Sequence, residues 1–376
     1  MRQETEPLEQ EAMSMNLTLK RKRRSQPSHH CSLQGLNASP AKIRAEDSAL
    51  EERKRRQQDN VLPPHSETSA ILQPTQPAQV ERQKRFSHVV VVTGGTRGVG
   101  LALLKKLSNE IEYQNALIVF GGTTAPADGE KIIERELSTV STLFSYLQLN
   151  LSSEESIQGF VEGVKGICKT HGAPLSHVLN VAGAYWAQQG RARGECTQAQ
   201  QSLMWINFLG PVLLSEKLAK IMKPSRSPSA LTPQIVFVGS TSGKGRALSL
   251  NAEGEKLRER VRQPTASVHG LRKVARDYLV LVQKKVLDDS LDSIYSVSKL
   301  LLNAASGAMS RELLSAHSCV LVNALCPGPC RTDMNPVGSI TPAQGAERVV
   351  EVLRKGQFEG IRGKWFERGK EFPNWG

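Results

Sequence analysis

The sequence has no run approaching the roughly 18 consecutive apolar residues that suggest a transmembrane helix. Its six cysteines are scattered along 376 residues with no secretory signal before them, so a disulfide framework is not expected. Cys326 and Cys330 flank Pro-Gly-Pro, but no second Cys or His pair stands at a suitable spacing for zinc. We therefore expect a soluble protein with no membrane span and no metal site.

Sustained apolar periodicity is also missing from the first 85 residues, which are rich in Gln, Ser, Pro, Lys, Arg and Glu. Such a segment cannot bury enough apolar surface to offset the entropy lost on ordering. The sequence thus predicts a disordered or targeting extension over residues 1–85 and a folded domain over residues 86–376.

The extension contains features of several cellular addresses. The basic clusters at residues 20–24 and 53–56 are typical of a nuclear signal or a polyanion contact. Residues 15–45 contain no Asp or Glu, which suits a transit peptide, and the sequence at residues 43–45 resembles a plastid processing site. Four glutamates among the first 11 residues argue against a transit peptide that starts at Met1. Plastid (chloroplast) and cytoplasmic locations both stay open, with the nucleus third.

The chain is basic, with 49 Lys and Arg against 36 Asp and Glu, and a net charge of +13. This excess could attract anionic ligands, including a phosphorylated cofactor, or bind nucleic acid weakly. It is equally typical of a solvated surface of mixed charge. Nucleic acid is not the partner that we expect.

A glycine-rich turn between a strand and a helix is the first indication of a ligand. Residues 89–92 are four valines, typical of a strand buried on both faces, and leucines recur at helical spacing over residues 101–107. Between them, glycines at positions 94, 98 and 100 would allow a tight turn and the approach of a pyrophosphate to the helix N-terminus. This arrangement predicts a dinucleotide site.

The next predicted strand, residues 116–120, indicates which dinucleotide is bound. It ends in Gly-Gly-Thr-Thr, with no Asp or Glu to bind the adenosine ribose hydroxyls. The absence of an acid removes the repulsion that a 2′-phosphate would meet, and Arg97 in the glycine turn could pair with that phosphate. The sequence therefore favours NADP(H) over NAD(H).

Five motifs then follow in one order along the chain. They are Thr-Gly-x-x-x-Gly-x-Gly at residues 93–100, Asn-Val-Ala-Gly at 180–183, a helical Asn207, Ser240 after the strand 234–239, and Tyr295-x-x-x-Lys299. In this order they resemble the short-chain dehydrogenase/reductase family. The resemblance implies an α/β fold of the Rossmann type, with a doubly wound parallel sheet.

The resemblance also implies the catalytic set, which is Asn207, Ser240, Tyr295 and Lys299. Tyr295 would donate a proton to a carbonyl oxygen, and Ser240 would hydrogen-bond that oxygen. Lys299, on the same helical face as Tyr295, would bind the nicotinamide ribose and lower the phenol pKa. Asn207 would perturb its helix and hold a water in a proton relay.

The cofactor contacts implied by the family follow several of the predicted strands. The third strand is predicted at residues 147–151, where Asn150 replaces the Asp that the family commonly has near the adenine. The sixth, predicted at 319–325, is followed by Pro-Gly and by a Thr that would meet the nicotinamide. The implied set is Thr93, Gly94, Arg97, Gly98, Val99, Gly100, Thr123, Asn150, Asn180, Ala182, Gly183, Tyr295, Lys299, Pro327, Gly328 and Thr332.

An insert separates Ser240 from Tyr295 by 54 residues, more than in most family members. Residues 252–261 and 268–286 read as charged helices within an insert of about 244–292, since so long a loop without structure is improbable. An insert here resembles the monomeric carbonyl-reductase branch, so we expect a monomer. After the sixth strand, a capping box at residues 341–344 predicts a helix that closes at Gly356.

The expected activity is NADPH-dependent reduction of a small carbonyl compound, a ketone, aldehyde or quinone, to an alcohol by hydride transfer. The alternative is a regulatory or RNA-binding protein that binds a dinucleotide on the same fold with little catalysis. Trp186, Met334, Pro336 and Val337 either line an apolar substrate pocket or pack as ordinary loop residues.

Overall fold

The computed structural model describes residues 86–138, 142–185, 197–224, 230–244, 248, 251–316 and 318–372. The predicted extension over residues 1–85 and the pocket candidate Trp186 lie outside these residues. No helix in the described ranges is long and apolar enough to cross a membrane.

Eight strands of the described chain form one sheet in the order β3-β2-β1-β4-β5-β6-β7-β8. Neighbouring strands are parallel, except that β7 and β8 are antiparallel. The order reverses direction at β1, as in a doubly wound sheet, and the predicted Rossmann-type α/β fold is confirmed. The strands are β1 His88–Thr93, β2 Ala116–Gly122, β3 Leu143–Gln148, β4 Leu175–Asn180, β5 Gln234–Val238, β6 Leu321–Cys326, β7 Trp365–Glu367 and β8 Lys370–Phe372.

Helices cover both faces of this sheet. They are α1 Gly98–Ser108, α2 Pro126–Ile132, α3 Glu154–His171, α4 Thr197–Met204, α5 Gly210–Ala219, α6 Ala252–Arg262, α7 Val268–Gln283, α8 Leu291–Ser315 and α9 Pro342–Glu359, with π-helical turns at Ile133–Leu137 and Trp205–Leu209. The four valines of β1 show how the layers are built. Val89 and Val91 join the apolar core under α3, α5 and α8, whereas Val90 and Val92 join the core under α1 and α9. All four are fully buried, as the continuous apolar run predicted.

Two predicted boundaries were wrong. Strand β3 begins at Leu143 and ends at Gln148, so Asn150 lies in the loop after it rather than within it. Helix α9 has the predicted capping box but continues past Gly356 to Glu359 and ends at Gly360, whose φ is 65°. A Cβ at Gly356 would lie 1.9 Å from Oε1 of Gln234, so this glycine permits close packing on β5 rather than ending the helix.

The segment between β5 and α8 contains two helices close to the predicted ranges. Each begins at a capping side chain, Asn251 for α6 and Ser267 for α7. Helix α7 is tied to α5 by the Arg272–Glu216 ion pair and to α8 by a hydrogen bond from the Val268 amide to Glu312. These contacts join α7 to both neighbouring helices.

Two buried histidines lie at the amino ends of β1 and β4. The rings of His88 and His177 both pack against Tyr113, with centroid distances of 5.8 and 5.7 Å. Burial lowers the pKa of His88 to about 4. Burial, with the nearby His88 as a lesser cause, lowers the pKa of His177 to about 3. Both imidazoles are therefore neutral in the folded protein at neutral pH.

These histidines predict a loss of stability in mild acid. Below about pH 6.5 the unfolded chain binds protons that the buried rings do not, so the free energy of unfolding decreases as the pH is lowered. This decrease continues until about pH 4 for His88 and about pH 3 for His177, where the buried rings are protonated as well. Each histidine contributes a slope of at most about 1.4 kcal/mol per pH unit. Urea unfolding between pH 7 and 4.5 measures the slope. His177→Phe should make it shallower, and the same change at exposed His269 should not; equal slopes in all three proteins would contradict the assignment.

Candidate active site

The predicted site residues meet at the carboxyl edge of the sheet. Thr93 ends β1, Asn180 ends β4, Ser240 follows β5 and Pro327 follows β6. Because these strands are parallel, their carboxyl ends and following loops line the same edge. The fold thus brings together residues that are up to 234 positions apart in the sequence.

The turn after β1 requires glycine at three positions. Gly94 and Gly98 have φ values of 72° and 56°, in the left-handed region. A Cβ at Gly100 would lie 2.0 Å from the carbonyl oxygen of Gly94, and one at Gly94 would lie 2.8 Å from Cα of Ala182. The backbone therefore passes closely over the start of α1 and the end of β4, as a dinucleotide turn requires.

The N-terminus of α1 is available to an anion. Arg97 occupies the N-cap position without a side-chain capping bond, and the first turn contains no acidic residue. The first amides and the positive end of the helix dipole therefore keep their capacity for a phosphate. A Cβ at Gly98 would lie 3.3 Å from Cγ2 of Thr332, so the loop after β6 closes over the same turn. These residues fit a dinucleotide pyrophosphate.

Thr93 links the glycine turn to the Asn-Val-Ala-Gly segment. Its Oγ1 accepts hydrogen bonds from the amides of Val181 and Ala182, both at 3.1 Å. The Asn180 side chain instead faces the core, where Nδ2 donates to Oγ of Ser215 at 2.9 Å. The Asn180 side chain therefore stabilises the end of β4 within the core. Its predicted cofactor contact would have to involve its backbone.

The predicted adenosine end is polar and open. Arg97 is exposed and donates to Asp333 at 3.3 Å. Thr123 is also exposed, at the end of β2. Oδ1 of Asn150 accepts from the amide and the hydroxyl of Ser152, at 3.0 and 2.7 Å, so it stabilises its own loop. Its adenine contact stays a prediction.

The loop after β6 has a defined shape. Gly328 has a φ of 89°, and the carbonyl of Pro327 accepts from Arg348 of α9 at 2.6 Å. Thr332 exchanges backbone hydrogen bonds with Asn335, at 3.2 and 2.9 Å. These bonds hold Thr332 beside Gly98. Of the apolar pocket candidates in this loop, Met334 is 38% exposed and Val337 is 89% exposed.

Tyr295 and Lys299 lie one turn apart on α8 and face the end of β5. Nζ of Lys299 is buried and donates to the carbonyl of Val238 at 3.1 Å. It lies 5.9 Å from the centre of the Tyr295 ring. The Ser240 hydroxyl lies near the Tyr295 phenol and acts to lower its pKa. Three of the four predicted catalytic residues therefore lie in one array, in which Lys299 is buried and Tyr295 and Ser240 are partly buried.

The expected pKa of Tyr295 was wrong in direction. Burial raises the pKa of the phenol, because it disfavours the charged phenolate, and the nearby Ser240 hydroxyl opposes this shift only in part. Burial also lowers the pKa of Lys299 to about 8. The loss of hydration thus outweighs the lowering that the ammonium was expected to cause.

Asn207 completes the array from behind. It is fully buried within the π-helical turn Trp205–Leu209, in line with the expectation that it perturbs its helix. Its Oδ1 accepts from the Ala184 amide at 2.8 Å, and its Nδ2 donates to the Ala184 carbonyl and to Ser298 at 3.0 and 3.2 Å. A Cβ at Gly183 would lie 3.3 Å from Oδ1 of Asn207 and 3.4 Å from Nζ of Lys299, so these side chains are close neighbours.

Tyr185 packs directly on Tyr295, a contact that the sequence motifs did not predict. The two ring centroids are 4.8 Å apart, and the Tyr185 hydroxyl donates to Asp292 at 2.6 Å. This hydrogen bond is the main cause that raises the pKa of Tyr185 to about 12. Its position two residues after the Ala-Gly motif was the available signal, but the sequence does not reveal its contact with α8.

Comparison with known proteins agrees with this geometry. The family model for short chain dehydrogenases matches residues 88–252. The chain is thus similar to the short-chain dehydrogenase/reductase family over the first part of its folded domain. It is 26% identical over 304 residues to carbonyl reductase (NADPH) 1 of Sus scrofa, covering 77% of this chain and 95% of the relative. It is 25% identical over 298 residues to (+)-neomenthol dehydrogenase of Arabidopsis thaliana, covering 74% and 95%.

Solved structures share the fold. Salutaridine reductase from Papaver somniferum superimposes with a TM-score of 0.61 at 21% identity, over 74% of this chain and 99% of that one. NADPH-bound carbonyl reductase from chicken fatty liver gives 0.55 at 19% identity, over 77% and 99%. These structures agree with this chain in fold, and the family model and the curated relatives support the resemblance found in the sequence motifs.

The crowding at Gly100 predicts a specific loss of dinucleotide binding. In Gly100→Ala the new methyl meets the Gly94 carbonyl, so the turn must shift, at a cost of about 1–3 kcal/mol of stability. We expect the dissociation constant for NADPH, measured by fluorescence titration, to rise at least tenfold, or about 1.4 kcal/mol.

Gly159→Ala is the matched control, since it also adds a methyl to a helix but at an exposed position with nothing within 4 Å. It should raise stability by about 0.5–1 kcal/mol and leave binding unchanged. Unaltered NADPH binding in Gly100→Ala would show that the turn does not hold the cofactor.

Proposed function

We propose that this protein is an NADPH-dependent oxidoreductase that reduces a ketone, aldehyde or quinone to the alcohol. The observation that carries the proposal is the array of polar side chains at the end of β5. There the Tyr295 phenol lies near the Ser240 hydroxyl, with the buried Lys299 ammonium one helical turn away and the buried Asn207 behind it. These are the groups that carbonyl reduction needs, namely a proton donor, a partner for the substrate oxygen and a buried cation.

Residues at the edge of the sheet would contact the cofactor. The glycine turn and the first amides of α1 would hold the pyrophosphate. Lys299, whose pKa of about 8 leaves it mostly protonated at neutral pH, would hold the nicotinamide ribose. Thr332, held beside Gly98, would meet the carboxamide. When bound, NADPH supplies the hydride that adds to the carbonyl carbon.

The protein's own residues then supply the proton. Ser240 would hydrogen-bond the substrate oxygen and orient it toward Tyr295. Because burial raises the pKa of Tyr295, the phenol is protonated at neutral pH and can give its proton to the oxygen as negative charge develops there. The neighbouring Lys299 ammonium would stabilise the phenolate that this transfer leaves, and Asn207 would connect Lys299 to a relay that restores the proton.

Two features support NADPH rather than NADH. Strand β2 ends without an acidic residue, and Arg97 lies exposed in the glycine turn, paired with Asp333. An exposed ion pair contributes about 0–1 kcal/mol, so Arg97 can exchange this carboxylate for a 2′-phosphate. Among the relatives, carbonyl reductase (NADPH) 1 carries the same cofactor in its name.

The helices between β5 and α8 support a monomer. Helix α7 packs on α8 and is joined to α5 by the Arg272–Glu216 ion pair, so it covers part of the helical layer on this face of the sheet. Apolar residues of α7, including Leu271 and Tyr278, are buried by this packing. A second copy of the chain could not use the same surface.

Replacement of the proton donor is the decisive experiment. Tyr295→Phe removes the hydroxyl and keeps the ring, so turnover should fall at least about 100-fold while NADPH still binds. The assay is NADPH oxidation with a panel of ketones, aldehydes and quinones. Tyr113→Phe, the same change at the amino edge of the sheet, is the control and should keep normal turnover. Normal turnover by Tyr295→Phe would contradict the proposal. So would a wild-type protein that is inactive on every compound of the panel.

Arg97 provides a second prediction, on cofactor choice. A hydrogen bond to a charged phosphate contributes about 1.5–3 kcal/mol, so Arg97→Gln should raise KM for NADPH by about tenfold to a hundredfold and leave KM for NADH nearly unchanged. Asp333→Asn removes only the charge of the exposed partner of Arg97 and should not raise KM for NADPH. An equal loss with both cofactors would assign Arg97 to the pyrophosphate instead.

A further inference from the structure

Helix α8 meets the end of β5 through a third polar residue beyond the catalytic pair. Asn303 follows Lys299 by four residues and Tyr295 by eight, so all three lie on one face of the helix. Tyr295 lies near the hydroxyl of Ser240, Lys299 donates to the carbonyl of Val238, and Asn303 donates to the carbonyl of Ser240 at 3.1 Å. Three successive turns of α8 thus hold the Val238–Ser240 backbone and side chain.

The Ser240 carbonyl is held from two sides. The amide of Gly243 donates to it at 3.0 Å, which closes the short 3-10 turn Thr241–Gly243. Nδ2 of Asn303 donates from the opposite element, α8. The hydroxyl of Ser240 also accepts from the amide of Ser242 at 3.1 Å. Asn303 is therefore the bond that fixes this turn to the helix carrying Tyr295.

Asn303 is closely packed against two glycines. A Cβ at Gly239 would lie 1.9 Å from its Oδ1, and a Cβ at Gly243 would lie 2.6 Å from the amide nitrogen of Leu300. The turn therefore meets the backbone of the helix at Gly243, and the asparagine side chain fills the space that Gly239 leaves.

Stability alone does not explain an amide at this position. Asn303 is 1% exposed, and its Oδ1 has no hydrogen-bond partner among the described residues. A buried acceptor without a partner opposes folding, and an apolar side chain of similar shape would avoid that penalty. What an apolar side chain could not supply is the donor to Ser240.

We propose that Asn303 is a positioning residue, which sets Ser240 at the distance from Tyr295 that carbonyl reduction requires. The inference rests on the proposed function, because Ser240 must first act on the substrate oxygen. It extends the array along α8 by one turn, to Tyr295, Lys299 and Asn303.

Asn303→Leu tests the inference, with Asn303→Ala as a second variant that also lacks the donor but is smaller, should leucine not fold. Since displacement of a reacting group by about 1 Å can lower the rate up to 100-fold, we expect kcat to fall about tenfold while the NADPH dissociation constant stays unchanged. Asn323→Leu is the matched control. This fully buried asparagine bonds the backbone of Ile361 and Lys364, so its loss should lower the melting temperature but not kcat.

A double variant separates positioning from general damage. If Asn303 acts only through Ser240, then Ser240→Ala/Asn303→Leu should have the kcat of Ser240→Ala alone. The inference would be overturned if the double variant lost kcat by the product of the two single losses. It would also be overturned if Asn303→Leu kept a normal kcat while Ser240→Ala was impaired. Either result would leave the proposed function standing. A wild type without reductase activity, or an unimpaired Ser240→Ala, would instead overturn both.

Discussion

The candidate active site depends on the close contact between helix α8 and the turn that follows β5. Because Gly243 has no side chain, the backbone of the helix lies against the Ser240 turn, and the absence of a side chain at Gly239 leaves space for Asn303. Only then can Lys299 and Asn303 reach the Val238–Ser240 segment with short side-chain bonds, while Tyr295 lies near Ser240. The close packing of α8 on this turn thus determines where the polar side chains of the array lie.

The same contact sets the electrostatics. Pressed between α8 and the sheet, both ionisable groups lose hydration, so the pKa of Tyr295 rises and that of Lys299 falls to about 8. Each shift favours the neutral form, and together they bring the lysine pKa below the phenol's. Tyr295 therefore holds its proton at neutral pH, which suits donation to a carbonyl oxygen. Tyr185 contributes to this burial by covering the Tyr295 ring.

Sequence patterns predicted what depends on local order. The valine run became β1, the glycine spacing became the turn before α1, and the capping box at Thr341 began α9. They failed where a distant contact decides. Gly356 resembled a helix end, but it is the point where α9 passes Gln234 of β5. The contact of Tyr185 with Tyr295 and that of Asn303 with Ser240 join segments 110 and 63 positions apart, so neither leaves a local signal.

The pKa of Tyr295 shows most clearly why a motif does not determine its own chemistry. Four-residue spacing correctly placed Lys299 on the same face of α8, and a cation near a phenol does favour the phenolate. Burial is a property of the whole packed helix, however, and it acts on both groups at once. Lys299 is itself deprived of hydration and its Nζ donates to Val238, while the only described residue that acts to lower the pKa of Tyr295 is Ser240, which opposes the effect of burial in part. Tyr295 therefore stays protonated, and it would transfer its proton to a substrate oxygen when negative charge develops on that oxygen.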